Sequence, residues 1–214
     1  MPVMDLSAPF SLLVVDAISP LSTTERGNKY ILVFASYFTR WVEAFAVKSL
    51  DTIAFVEVVV DGFISWHSVL KRLLRDRGSN FTYGSARSFY ETLGVKKLFS
   101  TAYHPQMQGL VERFNGRLLH MLRMYVHESQ KDWDVYLPRV LFAYRTLYHE
   151  ALGDSPFFSL YGRDPVLPLD LASLYTGQDW KSGEVATYRR RLYRSLRDSG
   201  RMVERHLVNA QDRG

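Results

Sequence analysis

The run FSLLVVDAI, residues 10–18, most narrows what this chain can become. It is almost continuously apolar and rich in Val and Leu, the pattern of a strand buried on both faces in the interior of a sheet. Ser19-Pro20 follows, and proline cannot continue a central ladder, so the strand stops there. One acid, Asp16, interrupts the run near its end. A strand-end carboxylate that caps a turn is the ordinary explanation. A functional group at the carboxyl end of an interior strand is the other.

The following elements favour the second explanation. Arg26-Gly27-Asn28 is a turn signal, and YILVFASYF (30–38) and WVEAFAVK (41–48) read as two more strands of an antiparallel meander. Asp51 is placed to cap a helix over TIAFVEVVVDGFISW despite its β-branched residues. Lys71 to Arg75 is a short strand that ends at Asp76, where Arg77-Gly78 breaks it. Strand, helix, strand is a crossover unit, and it sets Asp76 beside Asp16 if the two strands are parallel neighbours.

Ser85 to Leu93 reads as a short helix, VKKLF (95–99) as a strand, and STAYHPQMQG as a loop. A long amphipathic helix is predicted over 110–128. On a helical wheel Leu110, Val111, Phe114, Leu118, Met121, Leu122 and Tyr125 share one face, and Arg113, Arg117, His120 and Arg123 the other. Glu112 falls at the border, beside Asn115 and Leu119, where a carboxylate reaches past the core edge. A further helix is predicted over Trp133 to Leu147, followed by an irregular Pro- and Gly-punctuated stretch, 155–170. From Gly183 to Gln211 the chain reads as a basic helix, either a solvated face or a phosphate-contacting arm.

Composition bounds the chemistry. At 47% hydrophobic and 14% aromatic, the 214 residues suit a packed globular chain. With no Cys, disulfides, thiolate catalysis and Cys-containing zinc sites are excluded, and none of the His residues forms an H-E-x-x-H pair. No G-x-S-x-G elbow is present. The N-terminus lacks a basic signal region and no apolar run reaches the roughly 20 residues of a membrane span. A soluble intracellular protein is therefore expected. A net charge of +5 suits a polyanionic partner, weakly, because 22 acids are interleaved with 27 bases. Thirty-five residues separate Asp76 from Glu112, a spacing that says little by itself among so many acids. Gathered together, Asp16, Asp76 and Glu112 would repel unless cations neutralise them. Hard oxygen ligands select Mg²⁺ or Mn²⁺ over zinc, and two such ions about 3.5–4 Å apart suit in-line displacement at phosphorus.

The segments DRGSNF, TAYHPQMQGLVERFN and FAYRTLYHEALGDSPFFSLYGRDPVLP, in that order, resemble the catalytic core of retroviral-type integrases. The likeness is strongest to the gypsy class of long-terminal-repeat retrotransposons, and it extends from about Val14 to Leu169. It implies an α/β, ribonuclease H-like fold with a mixed five-stranded sheet flanked by helices. It implies that Asp16, Asp76 and Glu112 are the catalytic triad and hold two Mg²⁺ or Mn²⁺ ions. Tyr103, Gln106 and Gln108 would contact the DNA end, with Gly109 as a hinge, and Asn115 would support Glu112 or the DNA. The implied reaction is trimming of element DNA ends, then attack of the freed 3′-hydroxyl on target DNA, by a homo-oligomer in the nucleus. On this reading residues 1–9 are a lead-in, 10–170 the core and 171–214 a basic helical extension.

The chain departs from the family pattern in places. Arg75 stands where a small Ser or Thr usually precedes the second acid, and a guanidinium there can pair with Asp76. Gly116 replaces a basic residue, Met107 a small polar one, and ASYFTRW lacks the usual Asp. The Gly-x-Pro expected before the second acidic strand is absent, and the family's zinc-binding and C-terminal modules are not expected in this chain. The competing expectation is a catalytically degenerate or host-retained remnant that binds nucleic acid or protein.

Overall fold

The computed structural model describes residues 8–18, 20–67, 72–75, 96–99 and 105–166. The first three strands are β1 (Leu13–Ile18), β2 (Tyr30–Ser36) and β3 (Val42–Val47), and they form the expected antiparallel meander. Strand β1 is shorter than its apolar run: Phe10 has φ 57° and lies in a turn, with Ser11 N donating to Ala8 O. Between β2 and β3 the chain reverses over Tyr37 to Arg40, closed by Ser36 N donating to Trp41 O at 2.8 Å.

The crossover begins at Asp51, whose Oδ1 caps the helix by accepting from Ala54 N at 2.8 Å. Ser49 Oγ donates to the other oxygen, and this bond, ahead of the cap, holds the Asp51 carboxyl below its usual range. Helix α1 (Thr52–Glu57) passes into a π-helical segment (Val58–Ile64) and then α2 (Ser65–His67). The π turn carries the β-branched run Val58-Val59-Val60, which crowds a tighter helix. Gly62 lies in this segment because a Cβ there would stand 2.6 Å from the Phe45 ring on β3.

Strand β4 (Arg72–Arg75) returns parallel to β1, and β5 (Lys96–Phe99) is parallel to β4. The five strands lie in the order β3-β2-β1-β4-β5, a mixed sheet. Helices α3 (Pro105–Arg123), α4 (Trp133–Thr146) and α5 (Pro156–Tyr161) follow.

Successive residues of β1 and β2 point to opposite faces. Leu13, Val15, Leu32 and Phe34 pack with Phe55, Val59 and Phe63 of the crossover. Val14, Ile18, Ile31, Val33 and Ala35 pack with Val111, Phe114, Leu118 and Leu122 of α3 and with Trp133, Leu137, Val140, Leu141 and Tyr144 of α4. A polar knot ties the β1–β2 connection to α4: buried Asp134 Oδ2 accepts from Thr24 Oγ1 at 3.0 Å and Asn28 Nδ2 at 2.7 Å. Trp133 Nε1 donates to Ser22 O beside it.

The helix boundaries correct the sequence reading in three places. Helix α3 starts at Pro105, so Gln106, Gln108 and Gly109 belong to its opening turns and not to a loop. Proline at the first helical position loses no bond, and Gln and Met are good helix formers. The same helix ends at Arg123, and Tyr125 is exposed instead of sharing the buried face. The stretch expected to be irregular contains α5, whose start Ser155 caps by accepting from Phe158 N and whose end is left-handed Gly162 (φ 64°). The chain divides into two compact units, Met1–Tyr144 and Arg145–Gly214. In the second, His149 and Asp154 bridge a turn ahead of α5. The helices expected over 85–93 and 183–211 lie outside the described residues. Among the described residues no helix is long and apolar enough to cross a membrane.

Candidate active site

Asp16 shares a sheet face with Val14 and Ile18, the face that α3 and α4 cover. It is half-buried, and both its oxygens are held. Oδ1 accepts from the Ala17 backbone N–H at 2.8 Å, and Oδ2 accepts from Asn115 Nδ2 at 2.7 Å. A carboxylate only accepts, so the Asn115 amide must present its nitrogen here. That leaves Asn115 Oδ1 as a buried acceptor without a hydrogen-bond partner. Such an orphan costs on the order of 1–3 kcal/mol until something satisfies it.

The hydrogen bond pins the middle of α3 over β1. Glu112 lies one turn before Asn115, and residues three apart on a helix are neighbours on its surface. Its side chain is exposed and makes no ion pair among the described residues. Asp76 and Tyr103 lie outside the described residues. Strand β4 does run parallel beside β1, with Val15 in register with Arg75, the residue before Asp76. Gln106 and Gln108 stand in the opening turns of α3.

Of the residues singled out from sequence, the structure thus joins Asp16 to Asn115 and sets Glu112 on the same helix. It gives Asn115 a partner that sequence did not name, the strand-borne acid rather than Glu112. The helical wheel had put Asn115 beside Glu112 at the core border, but a wheel cannot say which strand lies opposite.

Among the described residues no three His, Cys, Asp or Glu side chains gather into a metal-binding group; Asp76 is not one of those residues. The donors present do fit a hard divalent cation. The carboxylates of Asp16 and Glu112 have no cationic partner among the described residues, and Asn115 Oδ1 is a bare buried oxygen beside the first of them.

No protein-family model matches the chain. The retrovirus-related Pol polyprotein from transposon 412 of Drosophila melanogaster is 28% identical over 169 residues, 78% of this chain and 14% of that polyprotein. The Gag-Pol polyprotein of gibbon ape leukemia virus is 31% identical over 140 residues, 65% of this chain and 8% of its own length. The bovine Gypsy retrotransposon integrase-like protein 1 is 22% identical over 160 residues, 75% of this chain and 32% of that protein. The chain therefore spans a minor part of these relatives. Among solved structures, the catalytic core domain of BIV integrase superposes with a TM-score of 0.54 at 21% identity, covering 69% of this chain and 91% of that one. A chain of the simian T-cell lymphotropic virus intasome in complex with PP2A regulatory subunit B56 gamma gives 0.57 at 17% identity, over 70% and 54%. The chain is a homologue of retroviral and retrotransposon Pol polyproteins and of a gypsy integrase-like protein, and its fold is the ribonuclease H-like fold of integrase catalytic cores.

Proposed function

We propose that this chain is the catalytic core of an integrase, a polynucleotidyl transferase that trims DNA ends and joins the freed 3′-hydroxyl to target DNA. The observation that carries the reading is the 2.7 Å hydrogen bond from Asn115 Nδ2 to Asp16 Oδ2. It draws the helix bearing Glu112 onto the strand bearing Asp16, next to the parallel strand that leads into Asp76.

In this reading Asp16, Asp76 and Glu112 hold a pair of Mg²⁺ or Mn²⁺ ions. When bound, the ions would supply charge neutralisation and Lewis acidity at phosphorus. The chain's own residues do the rest. Asn115 and the Ala17 N–H fix the Asp16 carboxylate in one orientation, so its lone pairs are aimed before substrate arrives. The orphaned Asn115 Oδ1 offers an acceptor to a hydroxyl at the reacting end. The opening turns of α3, with Gln106 and Gln108, and Tyr103 just before them, contact the DNA end. The polypeptide acts as an assembly on two ends, in the nucleus. The simian T-cell lymphotropic virus intasome, one chain of which shares this fold, supports that reading.

The test is Mg²⁺- or Mn²⁺-dependent strand transfer by the purified chain, including the reverse reaction on a branched substrate, with Glu112→Gln as control. Activity in the parent and none in Glu112→Gln is expected. Equal activity in both removes Glu112 from the site.

A further inference from the structure

Arg40 is an arginine in a place that disfavours one. It closes the β2–β3 reversal with φ 56°, in the left-handed region that L side chains rarely adopt. It is only 9% exposed, and its Nε and Nη1 are buried with no hydrogen-bond partner. Its guanidinium lies over the Tyr37 ring, 4.9 Å from the centroid, which satisfies the charge in part but none of the N–H groups. Burial pushes its pKa down to about 10, Tyr37 and Tyr144 oppose that, and the nearby Arg113 adds to it. Arg117 acts on the same Tyr144. Arg40 and Arg117 thus lie near Tyr144, Arg113 lies near Arg40, and none of the three has a carboxylate partner among the described residues.

A buried cation with idle donors, flanked by two more, fits an oxyanion and little else. Folding places it there against backbone preference, desolvation and unmade hydrogen bonds, three costs that a bound anion would relieve together. Arg113 and Arg117 are exposed, and long exposed side chains reorient readily, so they can swing to admit and clamp a ligand. Arg113 follows Glu112 in α3, about 100° further round the helix. We propose that Arg40, Arg113 and Arg117 form a phosphate-binding site that grips a backbone phosphodiester of DNA lying across the face near Glu112. The DNA assignment rests on the integrase reading; the oxyanion chemistry does not.

Two arms test it. In the first, the thermal midpoint of the purified chain is measured in inorganic phosphate and in sodium chloride of equal ionic strength. Phosphate should raise it in the parent and not in Arg40→Gly, a substitution that accepts the left-handed backbone and removes the guanidinium. In the second, binding of a duplex is followed by fluorescence anisotropy across a salt series. Arg40→Gly and Arg113→Gln should each weaken it by about tenfold and flatten the salt slope by about 1. A phosphate shift that requires Arg40, in a chain that binds no DNA, keeps the oxyanion site and sinks the integrase reading. A phosphate shift retained in Arg40→Gly overturns the site itself, as does DNA binding indifferent to all three arginines. Should Arg40→Gly fail to melt cooperatively, the Arg113→Gln, Arg117→Gln double variant decides, because both positions are exposed; an unchanged phosphate response there overturns the proposal.

Discussion

The two faces of the sheet are made by the same strands and come out differently. On the crossover side Phe34 sits among aromatic rings, 5.9 Å from Phe45, 5.7 Å from Phe63 and 6.2 Å from Phe55, and its cross-strand neighbour Glu43 is paired within the protein, to His67 at 3.0 Å and Trp41 Nε1 at 2.9 Å. On the α3 side the row Val14, Asp16, Ile18 breaks an apolar stripe with a carboxylate, and an amide from the helix above must reach in to hold it. Alternation along a strand lets one face be edited without touching the other. On the first face the carboxylate, Glu43, is paired with His67 of the crossover. The second gives up some stability around Asp16, the kind of local conflict that concentrates where a protein works.

The largest effect expected from this contrast is in catalysis. Asp16→Asn keeps the size of the side chain and removes the charge, so strand transfer should drop by about a thousandfold or more, the several kcal/mol a carboxylate-bound ion contributes at phosphorus. The stability cost should stay near the roughly 1 kcal/mol of one hydrogen bond, since an amide accepts at one oxygen only and no cation is paired with Asp16 among the described residues. A variant that unfolds instead would make Asp16 a structural residue and erase the difference between the faces.

Phe34→Ala addresses the other face. It removes a fully buried ring and should cost about 3–5 kcal/mol in denaturant unfolding. Activity per folded molecule should survive, because β2 carries none of the proposed site residues. Equal loss of stability and of intrinsic activity would mean that the faces are coupled through the sheet.

Asn115→Ala is subtler. It should cost roughly 1 kcal/mol of stability for the lost hydrogen bond, and about ten- to a hundredfold in activity through a freed Asp16. Adding Mn²⁺ in excess should restore part of the activity if orientation of the carboxylate is what was lost; a titration of activity against metal concentration checks it.

Much of the framework was legible in the sequence because its signals are local. The apolar run with Pro20 behind it marked β1, the turn at Gly27 marked the meander, and Asp51 marked the start of α1, where its Oδ1 does cap Ala54 N. Other features were written in cap chemistry instead of periodicity. Helix α5 is six residues long, too short to show a repeat, but Ser155-Pro156 and Gly162 frame it. Pro105 opened α3 where proline had been read as loop punctuation. The Asp16–Asn115 bond joins residues 99 apart in sequence, and only the packing of α3 on β1 brings them together. Arg40 was the least legible, since neither its left-handed φ nor its burial leaves a trace in the letters FTRW.

Glycine offers the finest comparison of the two faces. Gly62 lies against the crossover face, where a methyl group would run into the Phe45 ring at 2.6 Å. Gly116 lies on α3, over the other face but turned outward: it is exposed, and an added Cβ would meet nothing within 4 Å. Mid-helix glycine is disfavoured because the unfolded chain has more backbone freedom to lose. With no contact to disturb, Gly116→Ala should therefore stabilise the chain by about 0.8–1 kcal/mol, read from the denaturant midpoint at unchanged slope. Strand transfer should stay as it was, because Asn115 keeps its place one residue away. A gain in stability accompanied by a loss of activity would show that α3 must bend at Gly116 to work, and would put the flexibility of the helix, not only its side chains, into the site.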